Sequence, residues 1–93
     1  MGALPLDQVV ARAAVLWRRS GDQILIRRRG NDEIVVLAAT AASLWDCLQT
    51  PRPMAELVDE LGRLHETDPN QIAPDVQAAV DVLVAQQAVT LGD

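Results

Sequence analysis

The hydrophobic period of this chain changes once, near Ala39, and that change limits the fold more than any other feature. Before it, apolar and β-branched residues come in short runs separated by glycine-containing breaks; after it, they recur at three- and four-residue intervals. Val9 to Arg19 carries Val9, Val10, Val15, Leu16 and Trp17 and ends at Ser20-Gly21-Asp22. Ile24-Leu25-Ile26 opens a second run that continues into Arg27-Arg28-Arg29, and Gly30-Asn31-Asp32 closes it. Gly and Asn take positive φ at low cost, so both breaks read as turns. Glu33-Ile34-Val35-Val36-Leu37 is the third run. Three strands joined by two short turns predict an antiparallel meander, a single N-terminal sheet.

Past Ala39 the spacing is helical. Thr40 stands where it can cap a helix in which Ala41, Leu44, Trp45 and Leu48 recur at i, i+3, i+4 and i+7. Pro51 and Pro53 end it. Met54, Leu57, Val58, Leu61 and Leu64 repeat the spacing, with Glu56, Asp59, Glu60 and Arg63 on the wet side. Glu66 to Asn70 reads as a polar loop in which Asp68-Pro69 caps the next helix, with Pro at its first position. Pro74 predicts an interrupted turn there, so that the main third helix runs from about Pro74 to Gln87. In it Val76, Val80, Leu83 and Gln87 form one stripe, widened by Ala79 and Val84, while Ala78, Val82 and Ala85 lie nearly opposite. A helix apolar on two sides in so short a chain offers one of them to something else, unless these are the scattered surface residues that any protein carries. The expected class is α+β, a three-stranded sheet followed by three helices in the manner of a winged helix-turn-helix. Residues 1–93 are expected to form one domain, its core at about 9–91.

With two Trp and no Phe or Tyr in 93 residues, the core must be built from Leu, Val, Ile and Ala, with Trp17 and Trp45 as its largest pieces. The single cysteine, Cys47, excludes an intramolecular disulfide and fits a reducing compartment, so cytoplasm is the expected location. No apolar run reaches the ~18–20 residues of a membrane span, and Met1–Asp7 has neither the basic start nor the apolar stretch of a secretory signal. His65 is the only histidine, and Cys47 has no companion at ligand spacing, so no zinc site is expected. His65 reads as a partner for a helix end and Cys47 as a small apolar residue. No phosphate loop, nucleophile elbow or metal signature occurs. Carboxylate pairs such as Asp59/Glu60 fall on a solvated helix face. The chain is expected to be no enzyme and to need no cofactor or metal.

Charge is unevenly spread. Residues 1–30 hold six arginines against Asp7 and Asp22, net +4, whereas residues 31–93 hold Arg52 and Arg63 against eleven carboxylates, net −9. A winged-helix nucleic-acid-binding or transcription-regulatory protein is one reading, but a groove-reading helix needs cations. Residues 64–93 contain no Arg or Lys and hold Glu66, Asp68, Asp75, Asp81 and Asp93. Phosphate is repelled there, and only the sheet's Arg cluster is left to meet it. Peptide capture by strand addition is the other reading. Ile34 to Ala39 is an apolar edge without Pro or Lys to protect it, and an extended peptide can pair with such an edge while its side chains fill a cleft against a helix. The helical wall would be Asp75, Ala79, Val82 and Gln86, at i, i+4, i+7 and i+11.

The stretch Ile34-Val35-Val36-Leu37-Ala38-Ala39-Thr40-Ala41-Ala42-Ser43-Leu44-Trp45-Asp46-Cys47-Leu48 resembles the strand-to-helix segment of PqqD-like proteins, the precursor-peptide recognition elements of ribosomally made, modified peptides (RiPPs). Pro53-Met54-Ala55-Glu56-Leu57-Val58-Asp59-Glu60-Leu61 is similar to that family's second helix. Asp75-Val76, with Leu83 further along, is similar to its third. The resemblance covers about residues 14–91 and is a pattern of apolar positions and lengths. It implies a winged helix-turn-helix with a three-stranded N-terminal sheet. Such a protein binds a precursor's leader as a further antiparallel strand beside the third strand and against the third helix, and has no catalytic residues. By position, the peptide-binding residues would be Glu33, Ile34, Val35, Val36, Leu37 and Ala38 with Asp75, Ala79, Val82 and Gln86. From their charge, Arg27, Arg28 and Arg29 either meet acidic leader residues or a partner enzyme, or form a solvated strand end. The expected partners are the leader peptide and a modifying enzyme or leader peptidase, with no membrane, no nucleic acid, and self-association through the sheet edge as a further expectation. The length resembles the small leader-binding proteins of actinobacterial lasso-peptide pathways in natural product biosynthesis; Leu37-Ala38 replaces the family's usual Leu-Asn.

Overall fold

The first apolar run breaks where its side chains become too small to hold a strand. A computed structural model describes residues 4–28, 30 and 32–92, and in it Val9–Arg12 forms β1 and Leu16–Ser20 forms β2. Ala13-Ala14 lies between them in a tight bend, with the Val15 N–H donating to the Ala13 carbonyl at 2.9 Å. Two strands therefore stand where one was expected. β3 (Gln23–Arg27), β4 (Ile34–Leu37) and α1 (Ala39–Cys47) follow, then β5 (Arg52–Pro53), α2 (Met54–Leu64), α3 (Pro69–Ala85) and β6 (Val89–Gly92).

The strands form two antiparallel sheets rather than the single sheet expected. β2-β3-β4 is the meander, and β5-β1-β6 gathers distant segments around β1. Val9 lies opposite both Pro53 and Gly92, and Arg12 opposite Val89. Residues before β1 close the start of α2, which has no side-chain cap: the Met54 and Ala55 N–H groups donate to the Gln8 and Leu6 carbonyls, each at 2.9 Å.

α1 begins one residue before the expected cap. Ala38 is the N-cap without a side-chain bond, and Ala39 turns the chain out of β4 with φ +51°, a left-handed conformation that costs a non-glycine residue about 1 kcal/mol. α3 begins as its sequence predicts, the Asp68 carboxylate accepting from the Asn70 N–H at 2.7 Å with Pro69 at the first position. It then runs unbroken through Pro74, against expectation. The carbonyl that loses a donor belongs to Asn70, and both residues are exposed, so water can take the place of the missing bond. Both α2 and α3 end in Schellman turns built on non-glycine residues, Glu66 (φ +51°) and Gln87 (φ +59°). Thr67 N–H donates back to Gly62 at 2.8 Å and Ala88 N–H to Leu83 at 2.9 Å. Gly62 is required there, because a Cβ would lie 2.9 Å from the Thr67 carbonyl oxygen.

One buried cluster joins the elements: Val10 of β1, Ile24 and Ile26 of β3, Leu37 of β4, Leu44 and Trp45 of α1, Leu57 and Leu61 of α2, and Val76, Val80 and Leu83 of α3. Trp45 is fully buried, but Trp17 is 42% exposed and is not the core piece expected. Trp17 instead walls a cation. The Arg12 guanidinium sits 4.8 Å from the Trp17 ring centre and 4.6 Å from that of Trp45, and donates to the Trp45 carbonyl at 2.7 and 3.2 Å. Burial lowers the Arg12 pKa, Asp46 opposing it, yet a guanidinium stays charged at any working pH.

Candidate peptide-binding cleft

β4 and β2 are the two edges of the meander; β4 is the apolar one singled out in the sequence, and its register decides which atoms that edge offers. The β2–β3 turn is a two-residue loop, Gly21-Asp22, with Gly21 at φ +63° and Ser20 opposite Gln23. The residues that close such a loop exchange both backbone hydrogen bonds, and bonded pairs then alternate along the ladder. Gln23, Leu25 and Arg27 accordingly turn their backbone groups toward β2, and Ile24 and Ile26 turn theirs toward β4. Their partners there are Leu37 and Val35. The N–H and C=O of Ile34 and Val36 consequently point away from β3, along an edge on which no described strand lies.

The side chains divide the same way. Val35 and Leu37 lie inward beside Ile26 and Ile24, while Ile34 and Val36 are 55% and 52% exposed on the outer face. Of the two remaining strand residues assigned from sequence, Glu33 is exposed just before β4. Ala38 lies past its end and gives its carbonyl to Ala41 N–H (3.2 Å) and Ala42 N–H (3.4 Å) at the start of α1. Ala38 therefore has no carbonyl to spare for a peptide.

The helical wall is less uniform than the four-residue stripe suggested. Asp75 and Val82 are exposed and Gln86 is half-buried, but Ala79 is buried with Val76, Val80 and Leu83. Ala79 belongs to the core, and Val82 is the apolar group this face presents. The described link between the two walls is Arg28, whose Nη1 donates to Gln86 Oε1 at 3.3 Å. An open cavity of about 610 Å³ beside Arg28 is lined by the β1–β2 bend (Ala14, Val15, Leu16) and the β3–β4 turn (Arg27, Gly30, Asp32) rather than by β4 or α3. The Arg cluster is divided: Arg27 pairs with Asp32 at 3.1 Å within the turn, Arg28 reaches α3, and Arg29, like Asn31, lies outside the described residues.

Sequence reading missed the outer face of the meander. Leu16, Arg18, Leu25, Arg27 and Ile34 line a hollow of about 280 Å³ together with Trp17. The alternation Leu16/Arg18 and Leu25/Arg27 is its signal, legible once the strand boundaries are known.

Chemistry elsewhere is muted. Burial pushes the Cys47 thiol pKa up, the nearby Arg52 pulling the other way, which is the wrong direction for a nucleophile. His65 Nε2 lies 3.1 Å from Ser43 Oγ, tying the end of α2 to α1. Among the described residues no three His, Cys, Asp or Glu side chains are grouped to hold a metal ion, and no helix is long and apolar enough to cross a membrane. The exposed charges of α3, Asp75 and Asp81, are both acidic.

No curated protein and no solved structure shows a significant match to the chain. Residues 23–89, from the first residue of β3 through β4 and all of α3 to the first residue of β6, match the family described as coenzyme PQQ synthesis protein D (PqqD). The chain thus belongs to the PqqD family, a family of RiPP precursor-recognition elements whose members are non-catalytic accessory proteins.

Proposed function

We propose that this chain is a peptide-binding adaptor that captures the leader of a ribosomally synthesised precursor peptide as an antiparallel strand on the free edge of β4 and against α3. It then delivers the precursor to the modifying enzyme or leader peptidase of its pathway, in the cytoplasm, with lasso-peptide biosynthesis as the nearest fit. The observation that carries this reading is the edge itself: Ile34 and Val36 turn their backbone groups outward, with no Pro or Lys in the strand to block pairing. Family membership supplies the class of ligand. A strand added here would send alternate side chains to the outer face beside Ile34 and Val36. The other set would face α3, where Val82 and Gln86 could contact them. In this reading α1, α2 and α3 are the helices of a winged helix-turn-helix and the β2–β3 hairpin is its wing. A second copy of the chain would compete for the same edge at high concentration.

The test is fluorescence anisotropy with a labelled leader peptide from the precursor encoded beside this protein, and labelled duplex DNA in parallel. Saturable leader binding in the micromolar to nanomolar range, about 8–12 kcal/mol, with no DNA binding is the expected result. Val82→Asp should weaken it with little loss of stability. DNA binding with a steep salt dependence, and none to the leader, would overturn the adaptor reading.

A further inference from the structure

We infer that the peptide taken by this cleft carries an Asp or Glu side chain at the end of its paired stretch nearest the β3–β4 turn, and that Arg28 is the residue that reads it. The inference rests on the strand-addition reading above. Strand alternation places Arg28 in phase with Ile24 and Ile26, on the inner side of the sheet, and Arg27 on the outer side with Asp32. Arg28 therefore faces the space between the sheet and α3, at the end where Gln86 reaches across.

Its partner is what makes it unusual. Arg19, Arg27, Arg52 and Arg63 each pair with a carboxylate, Arg12 is held between two rings and a carbonyl, and Arg18 is exposed to solvent. Arg28 alone among the described arginines is half-buried on a neutral amide, through a single bond of 3.3 Å. That bond is at the long end of the hydrogen-bonding range. A guanidinium offers five N–H donors in a planar fork that fits a carboxylate with two parallel bonds. An incoming carboxylate would displace Gln86 Oε1, and the Gln86 amide N–H₂ could donate to the same anion. β4 and α3 belong to residues 31–93, which carry net −9, so the two walls themselves discourage acidic side chains elsewhere along the inner side of the cleft. β4 runs from Ile34 toward Leu37, away from this end; an antiparallel peptide would then place its acidic residue toward the C-terminal end of the paired stretch.

The experiment is selection from a displayed library of random 14-residue peptides flanked on both sides by fixed linkers, so that no free terminal carboxylate is presented. Wild type, Arg28→Gln and Val36→Pro serve as baits. The expected result is Asp or Glu enriched at one position toward the C-terminal end of the wild-type consensus. Changing that residue to its amide should weaken a recovered peptide about 10- to 100-fold on wild type and less than about threefold on Arg28→Gln. No acidic enrichment, or the same loss on both proteins, overturns the role of Arg28. Recovery of the same peptides by Val36→Pro overturns strand addition itself. Peptides that need Val36 but carry no acid leave strand addition standing and remove only Arg28; no recovery by wild type overturns both.

Discussion

The two sheets of this protein are closed in opposite ways. β2-β3-β4 is closed by local turns, so neighbours in sequence are neighbours in space, and among the described residues it ends at β2 on one side and β4 on the other with unpaired edges. β5-β1-β6 is closed by segments that begin at residues 52, 9 and 89, and its strands are only two to four residues long. The long-range sheet ties the ends of the fold over the core. The local one needs no distant strand to complete it and can leave an edge to a ligand. Arg12 is the joint between them, a β1 side chain clasped by Trp17 of β2 and Trp45 of α1.

The hardest way to break this arrangement is at the joint's inner wall. Trp45→Ala removes the largest fully buried side chain and should cost about 3–5 kcal/mol, read by chemical denaturation. Amide exchange should then show β1 and β3 losing protection together; a meander that stayed protected while β1 opened would mean the sheets are independent. Next comes a pair of prolines. Val35→Pro removes a donor spent on β3 and leaves the carbonyl of buried Ile26 unsatisfied, a loss of about 1–3 kcal/mol. Val36→Pro removes a donor that points outward, which edge strands tolerate. It should keep stability within about 1 kcal/mol while abolishing leader binding. If the two exchange roles in urea melts and anisotropy, the register derived for β4 is wrong.

Arg12→Lys should cost about 1 kcal/mol, because an ammonium cannot lie flat between two rings and fork onto the Trp45 carbonyl; a lowered Tm with unchanged leader affinity is expected. The smallest effect sharpens the contrast from the other side. Gln87 holds φ +59° in the turn that sends β6 back to β1. Gln87→Gly should therefore raise stability by about 0.5 kcal/mol, relief of the left-handed strain outweighing the added chain entropy. A fall in stability by the same measurement would show that the Gln87 side chain itself anchors β6.

This contrast also explains what could be read in advance. The meander was legible because Gly21 and Gly30 act on residues next to them, and α2 because Met54, Leu57, Val58, Leu61 and Leu64 keep one period to its last residue. Even the outward atoms of β4 follow from the two-residue loop at Gly21-Asp22, once Ser20 and Gln23 are known to face each other. β5 and β6 were invisible: two and four residues carry no period, and what makes them strands is β1, far along the chain. Trp17 and Trp45 look alike in sequence, and only the packing of α1 against the sheets separates a buried ring from a half-exposed one. The effect of Pro74 is not legible in the sequence, because its cost depends on the solvent around Asn70. The Arg28–Gln86 contact joins residues 58 apart in sequence, so the cluster could be named but not divided among its tasks.

With Val9 opposite Gly92, and the Gln8 side-chain amide donating to the Gly92 carbonyl, the first and last strands lie side by side, about 5 Å apart as paired strands are, while residues 4–8 run on from β1 as an arm whose Leu4 N–H donates to Gln77 Oε1 of α3 at 2.8 Å. A module shaped this way can be spliced into a surface loop of a larger protein if one joint is long enough to leave that arm on α2 and α3. Its own ends can equally be linked and new ones cut at the exposed Gln49-Thr50-Pro51 loop. Both operations leave β4 and α3 uncut, so the proposed binding edge should survive either one.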